Sequence, residues 1–137
     1  MTRRMQLRVE GLPPKKDGAK SMWGKPLEAH RIRALRLTVA EKLAGAPPFA
    51  RNIEIDLECH VGPRNDRNTG DLDNFLTGIC DGLMAADARA TIAPIFEEAI
   101  DPGIAVGIVD DAQVIKITAR KVITDEPQHY YLTIEGS

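Results

Sequence analysis

Aromatic residues are scarce in this chain: six of 137 residues, one of them tryptophan. So thin an aromatic supply argues against a single-strand binder built on successive base-stacking platforms. Cysteine is equally sparse, with Cys59 and Cys80 alone, and their spacing is not CxxC. Both lie in hydrophobic patterns, so they read as buried thiols of a reducing compartment and not as a disulfide scaffold or zinc site. No apolar run is long enough to cross a bilayer. The opening MTRRMQLRVE is basic but has no apolar core, so a secretory signal is not expected there. Length and an ordinary 43% hydrophobic share point to one domain spanning 1–137.

Net charge is also small, at −2, but it conceals an uneven distribution. Residues 1–42 carry eleven bases and four acids; residues 43–137 carry seven bases and sixteen acids. A basic front suggests a polyanionic partner, and an acidic remainder would repel that partner unless cations intervened. The alternative is that both are solvated faces of unlike elements.

Periodicity supplies the elements. Residues 5–10 alternate weakly as a strand, and 11–25, with two prolines, three glycines and four lysines, read as a loop. Ile32, Leu35, Val39 and Leu43 mark one face of a helix that starts at Pro26 and closes at Gly45 with Pro47 and Pro48. His30, Arg31, Arg33 and Arg36 fall off that stripe and predict a basic helix surface. Residues 53–61 alternate strictly, as a half-buried strand does. A loop, GPRNDRNTG, leads to a second helix from Asp71 to about Ala86, with Leu72, Phe75, Leu76, Ile79, Cys80, Leu83 and Met84 on its apolar face. Gly78 and Gly82 inside it cost helix propensity and call for close packing. A short helix over 91–100, strands over 104–109 and 114–123, and a final strand over 130–135 complete an α+β order, with helices packed on one sheet.

Two acidic motifs stand out. In Asp71-Leu72-Asp73-Asn74 an Asp at a helix start is a good cap, yet two carboxylates two residues apart can also serve a hard cation. Asp110-Asp111 lies between two apolar segments, where a turn explains one Asp more easily than both. A cation shared with Asp71 and Asp73 would relieve their repulsion, and with a basic front this fits metal-dependent phosphodiester hydrolysis.

DLDN at 71–74, Asp81 and Leu83 on the same helix, and VDDAQV at 109–114 resemble the RusA family of Holliday-junction resolvases. Pro13-Pro14 after the first strand and Glu58-Cys59-His60 ending the long one are further echoes. The resemblance implies a small mixed sheet with two main helices packed on one side plus an extra inserted helix, forming a homodimer that cuts branched DNA. It assigns Asp71, Asp73 and Asp111 as catalytic, metal-binding carboxylates for Mg2+, with Mn2+ as an alternative, and makes Asp110 a neighbour that shapes the turn. Lys15, Lys16, Lys20, Lys25, Arg64 and Arg67 are the expected DNA contacts. A bacterial or phage cytoplasm, without membrane association, is the implied location.

Two departures from the family pattern bear on activity. Thr77 stands where the family usually has a lysine beside the reacting phosphate; Lys116, Lys121, Arg64 or Arg67 are candidate substitutes for its charge. An insert at about 87–105 carries Ile92, Ile95, Phe96 and Ile100, and an extra packed helix is its plainest form. Thr77 motivates a second reading, a junction-binding protein with lost or weak cleavage. A third makes the acids mere caps and turns of an interaction module. Among residues outside this constellation, His60 is expected to face solvent, Trp23 to anchor its loop onto the core or to stack on a base at a junction crossover, and His129-Tyr130-Tyr131 to be strand edge.

Overall fold

A computed structural model of the chain describes residues 2–16, 22–63 and 71–136. Four strands, β1 (Arg3–Glu10), β2 (Ile53–Val61), β3 (Val114–Ile123) and β4 (His129–Gly136), form one mixed sheet in the order β1-β4-β2-β3. β4 is antiparallel to both β1 and β2, while β2 and β3 run parallel. Helices α1 (Pro26–Leu43) and α2 (Leu72–Leu83) supply the other main elements. The result is a small α+β fold.

Alternation decides which sheet face is dry. Met5, Leu7 and Val9 of β1, the odd residues 53–61 of β2, and Tyr130, Leu132 and Ile134 of β4 are buried in one core with Leu35 and Val39 of α1 and Phe75, Ile79 and Leu83 of α2. The intervening residues form the opposite, largely polar face: Glu54, Lys116, Asp56, Thr118, Glu58 and Arg120 stand in register across β2 and β3. No helix among the described residues is long and apolar enough to cross a membrane.

The glycines of α2 are explained by what presses on them. A Cβ on Gly78 would lie 1.9 Å from the carbonyl oxygen of Pro14, so the loop leaving β1 is seated directly on this helix. At Gly82 the nearest atoms, from Ile32 and Pro14, stand at an ordinary 3.6 Å.

Several expectations are corrected. The 91–100 segment is not a helix; it has one 3₁₀ turn, Glu98–Ile100, and is otherwise irregular. Its backbone is committed elsewhere, with the Ala93 N–H donating to the Trp23 carbonyl, and a helix this short has little cooperative stability of its own. Residues 104–109 form no strand, only a single parallel bridge between Phe49 and Ile108. Gly107 interrupts the extended run at φ +88°, and its carbonyl accepts from the Phe49 N–H. α2 ends at Leu83, three residues short of the predicted end.

Arg36 links these corrections. Far from lying on a basic surface, it is fully buried and donates to five backbone carbonyls. Two of them, Gly82 and Met84, belong to the end of α2; the other three, Ile100, Asp101 and Ile104, belong to the insert. Its guanidinium lies 5.2 Å from the Trp23 ring, which in turn packs on Phe96. Trp23 therefore does anchor its loop. Burial pulls Arg36 down to about 10, still far enough above neutrality to keep its charge.

The 129–131 segment is not at an edge, because β4 sits between β1 and β2. Tyr130 is fully buried. His60 does not simply face solvent: its ring stacks on His129 at 4.4 Å and its Nε2 lies 2.6 Å from Glu58. Both cysteines are free and buried, as expected.

Candidate functional site

Asp81, near the end of α2, faces Asp111 in the turn that precedes β3, while Asp71 and Asp73 lie at the start of the same helix. Asp71 is the N-cap residue of α2 by position, with extended backbone, but its side chain accepts no capping hydrogen bond. Capping therefore does not account for its carboxylate. Asp73 lies in the first turn, exposed, where the helix dipole favours a negative charge. Thr77, one turn on, donates its hydroxyl to the Asp73 carbonyl at 3.0 Å and so is tied back to its own helix.

The DDAQ tetrapeptide divides its labour. Asp110 accepts from the Ala112 N–H at 2.9 Å, while the Gln113 side-chain oxygen accepts from the Val109 and Asp110 N–H groups. The Gln113 amide also donates to the carbonyls of Phe49 and Arg51, which pins the turn to the chain entering β2. Asp110 and Gln113 thus build the 3₁₀ turn Asp111–Gln113. Asp111 is left to face outward, its backbone N–H donating to the Met84 sulfur at 3.1 Å.

That position has an electrostatic consequence. A hydrogen bond from Asp110 and, less strongly, the negative charges of Asp110 and Asp81 raise the Asp111 carboxyl above the usual carboxylate range. Burial, with the charges of Asp111 and Asp81 adding to it, pushes the Cys80 thiol up to about 11. Asp81 carries the Lys16 ammonium at 2.6 Å. Lys16 is held in place, its backbone N–H donating to the Asn74 carbonyl at 3.3 Å.

The predicted acids do not close around a point. Among the described residues, no three His, Cys, Asp or Glu side chains converge closely enough to hold a metal ion. Mg2+ nevertheless takes only one or two carboxylates, completing its shell with water and phosphate oxygens. Asp71, Asp73 and Asp111 are all exposed, on the start of α2 and on the turn before β3.

The predicted cations are dispersed. Lys15 is half-buried, with its backbone N–H on Glu28, and Lys25 is half-buried before α1. Lys20, Arg64 and Arg67 lie outside the described residues. Lys116 stands on the sheet face away from the helices, 4.0 Å from Glu54, and Lys121 aligns with Cys59 on the helix side. Much of the basic front is matched internally, with Arg33 on Glu97 and Arg4 on Glu135, acids from the acidic remainder. Among the described residues, Lys16 is a cation held beside one of these acids, Asp81, a carboxylate outside both acidic motifs. Its spacing held the clue, since Asp73, Thr77 and Asp81 follow one another at helical intervals of four.

A cavity of about 580 Å³ adjoins this group, lined by Lys16, Asp81 and Met84 together with Met22, Trp23 and Arg89. No known protein-family model matches the chain, and no curated protein matches it.

Proposed function

We propose that the chain is a RusA-like, structure-selective endodeoxyribonuclease that cuts branched DNA such as Holliday junctions, acting in a bacterial or phage cytoplasm. The observation that supports the reading most directly is a pair of exposed acids, one at the start of α2 and one in the turn before β3. Asp71 does not cap α2, and Asp111 is held protonated more readily than usual by acids that a cation would neutralise. In this reading Asp71, Asp73 and Asp111 would hold Mg2+ (or Mn2+), which when bound activates water and offsets phosphate charge. Lys15, Lys16 and Lys25, with Lys20, Arg64 and Arg67, bind backbone phosphates. Lys16 takes the part that the family gives to the lysine replaced by Thr77.

Two copies are required for paired cuts on opposite strands. The free edge of β3 supports such a dimer, since it pairs with no strand among the described residues and exposes Ile115, Ile117 and Ile123. Antiparallel self-pairing centred on Ala119 would set Thr118 against Arg120 and Lys116 against Val122, with no like charges opposed. Ile117→Lys is then expected to leave a folded monomer by light scattering; an unchanged mass would place the dimer contact elsewhere.

The test of activity is a synthetic four-way junction beside a linear duplex, with Mg2+ or EDTA. Wild type should cut the junction alone and only with Mg2+, and Asp73→Asn should slow cutting at least about a hundredfold. The second reading, a junction binder without efficient cleavage, is favoured by the Thr77 hydroxyl, which supplies no positive charge and is spent on its own helix. Tight binding of an uncut junction would decide for it.

A further inference from the structure

We propose that the cavity beside the acids accepts one unstacked nucleotide of branched DNA, so that the protein recognises a branch through a base that has already left the stack. This rests on the DNA reading above and adds to it a binding site and its ligand.

Size and chemistry both fit. A volume of about 580 Å³ lies within the range of preformed small-molecule pockets. Met22, Trp23 and Met84 supply apolar wall, as the flat face of a base requires. Lys16 and Arg89 supply cations at the same opening, as a phosphate requires. One Lys16 donor is committed to Asp81, and an ammonium has two more to offer. Asp81 and Asp87, which already carry Lys16 and Arg89, keep further lone pairs as acceptors for the amino and imino edges of a base.

Location supports the same ligand. Asp81 and Met84 line the cavity, and Met84 also receives the backbone N–H of Asp111. A nucleotide seated there brings its own flanking phosphates to the side of the molecule that carries Asp81 and Asp111. Two parts of the wall are held in place. Trp23 is fixed by Phe96 and Arg36, and the segment containing Ala86 is tied by its N–H to the Pro102 carbonyl at 2.8 Å. Extracting a base from intact duplex costs several kcal/mol, and the cost is least where pairing is already lost. A pocket of this kind therefore discriminates branches from linear duplex without reading sequence.

Trp23 is the only tryptophan, so its fluorescence reports on the cavity directly. The experiment titrates the full chain, in EDTA, with a branched DNA bearing one unpaired nucleotide at the branch. The same branch with an abasic residue at that position, and a linear duplex, serve as comparisons. The base-bearing branch should quench Trp23 at least about twofold and the abasic branch much less. Ala85→Phe, at an exposed lining position, should weaken branched-DNA binding about tenfold, the scale of one lost base contact, and leave duplex binding unchanged. Arg89→Ala, also exposed, should weaken the same binding without filling the space. Equal quenching by the abasic branch, or full branch affinity in a natively folded Ala85→Phe, would overturn the pocket and leave the nuclease reading intact. A wild type that binds no DNA would overturn both.

Discussion

Gly78→Ala and Gly82→Ala make the same chemical change in one helix and are expected to have opposite effects. Helix propensity alone favours alanine by up to about 1 kcal/mol at either position. At Gly82 the added methyl meets side-chain carbons at 3.6 Å, so most of that gain should be realised. At Gly78 the methyl would lie 1.9 Å from the Pro14 oxygen and 2.5 Å from its carbonyl carbon. Relief requires α2 and the loop to separate by roughly 1 Å, and overpacking of this kind costs about 1–3 kcal/mol or more. The loop cannot withdraw without strain, because the Lys15 N–H is held by Glu28 at 2.8 Å and the Lys16 N–H by Asn74. The expected net result is a loss of about 2 kcal/mol, or a melting temperature roughly 6–10 °C lower for a domain of this size, against a rise of a few degrees for Gly82→Ala. Thermal and urea melts of the two variants would check this. Equal melting temperatures would refute the seating of the Pro14 loop on α2, and with it the placement of Lys16 over Asp81.

Further outcomes follow from the same structure. Arg36→Met strands five carbonyls in the interior, and at about 1–3 kcal/mol for each group left unsatisfied it should lose more than about 4 kcal/mol by urea titration. Tyr130→Phe should be neutral or stabilising by about 1 kcal/mol in the same assay, because the buried Tyr130 hydroxyl has no hydrogen-bond partner among the described residues. Burial pushes the Cys59 and Cys80 thiols up to about 12 and 11, so neither should react with a thiol reagent at pH 8 until the chain unfolds. The folded state then holds protons that the unfolded state releases, and stability should fall as pH rises from about 8.5 through these higher values. Chemical denaturation between pH 8 and 11 reads that slope.

Regular elements were legible because periodicity encodes burial. Ile53, Ile55, Leu57, Cys59 and Val61 alternate in the sequence and are all buried in β2, and Ile32, Leu35 and Val39 are buried on α1 as their spacing predicts. The insert was not legible, because its order comes from Arg36 and Trp23, whose partners are backbone carbonyls and rings far along the chain. Side chain to backbone bonds of that kind leave no periodic trace, and an arginine off the apolar stripe is indistinguishable from a solvated one. Motifs placed Asp71 and Asp73 at a helix start and Asp110 and Asp111 at a turn. Which of the four was consumed in building the backbone emerged only from the hydrogen bonds, where Asp110 is engaged and Asp71 is not.

The position of β4 governs how this chain can be assembled over time. β1 and β2 have no contact as strands; each is hydrogen-bonded to β4, which separates them. During synthesis β1, both helices and β2 emerge with their apolar faces exposed, and no sheet larger than the β2–β3 pair can form until His129–Gly136 has left the ribosome. Closing β1 onto β4 joins segments at opposite ends of the described chain, the kind of non-local pairing that slows folding. Until β4 is in place the apolar faces of β1 and β2 share no sheet, so β4 acts as the keystone of this fold.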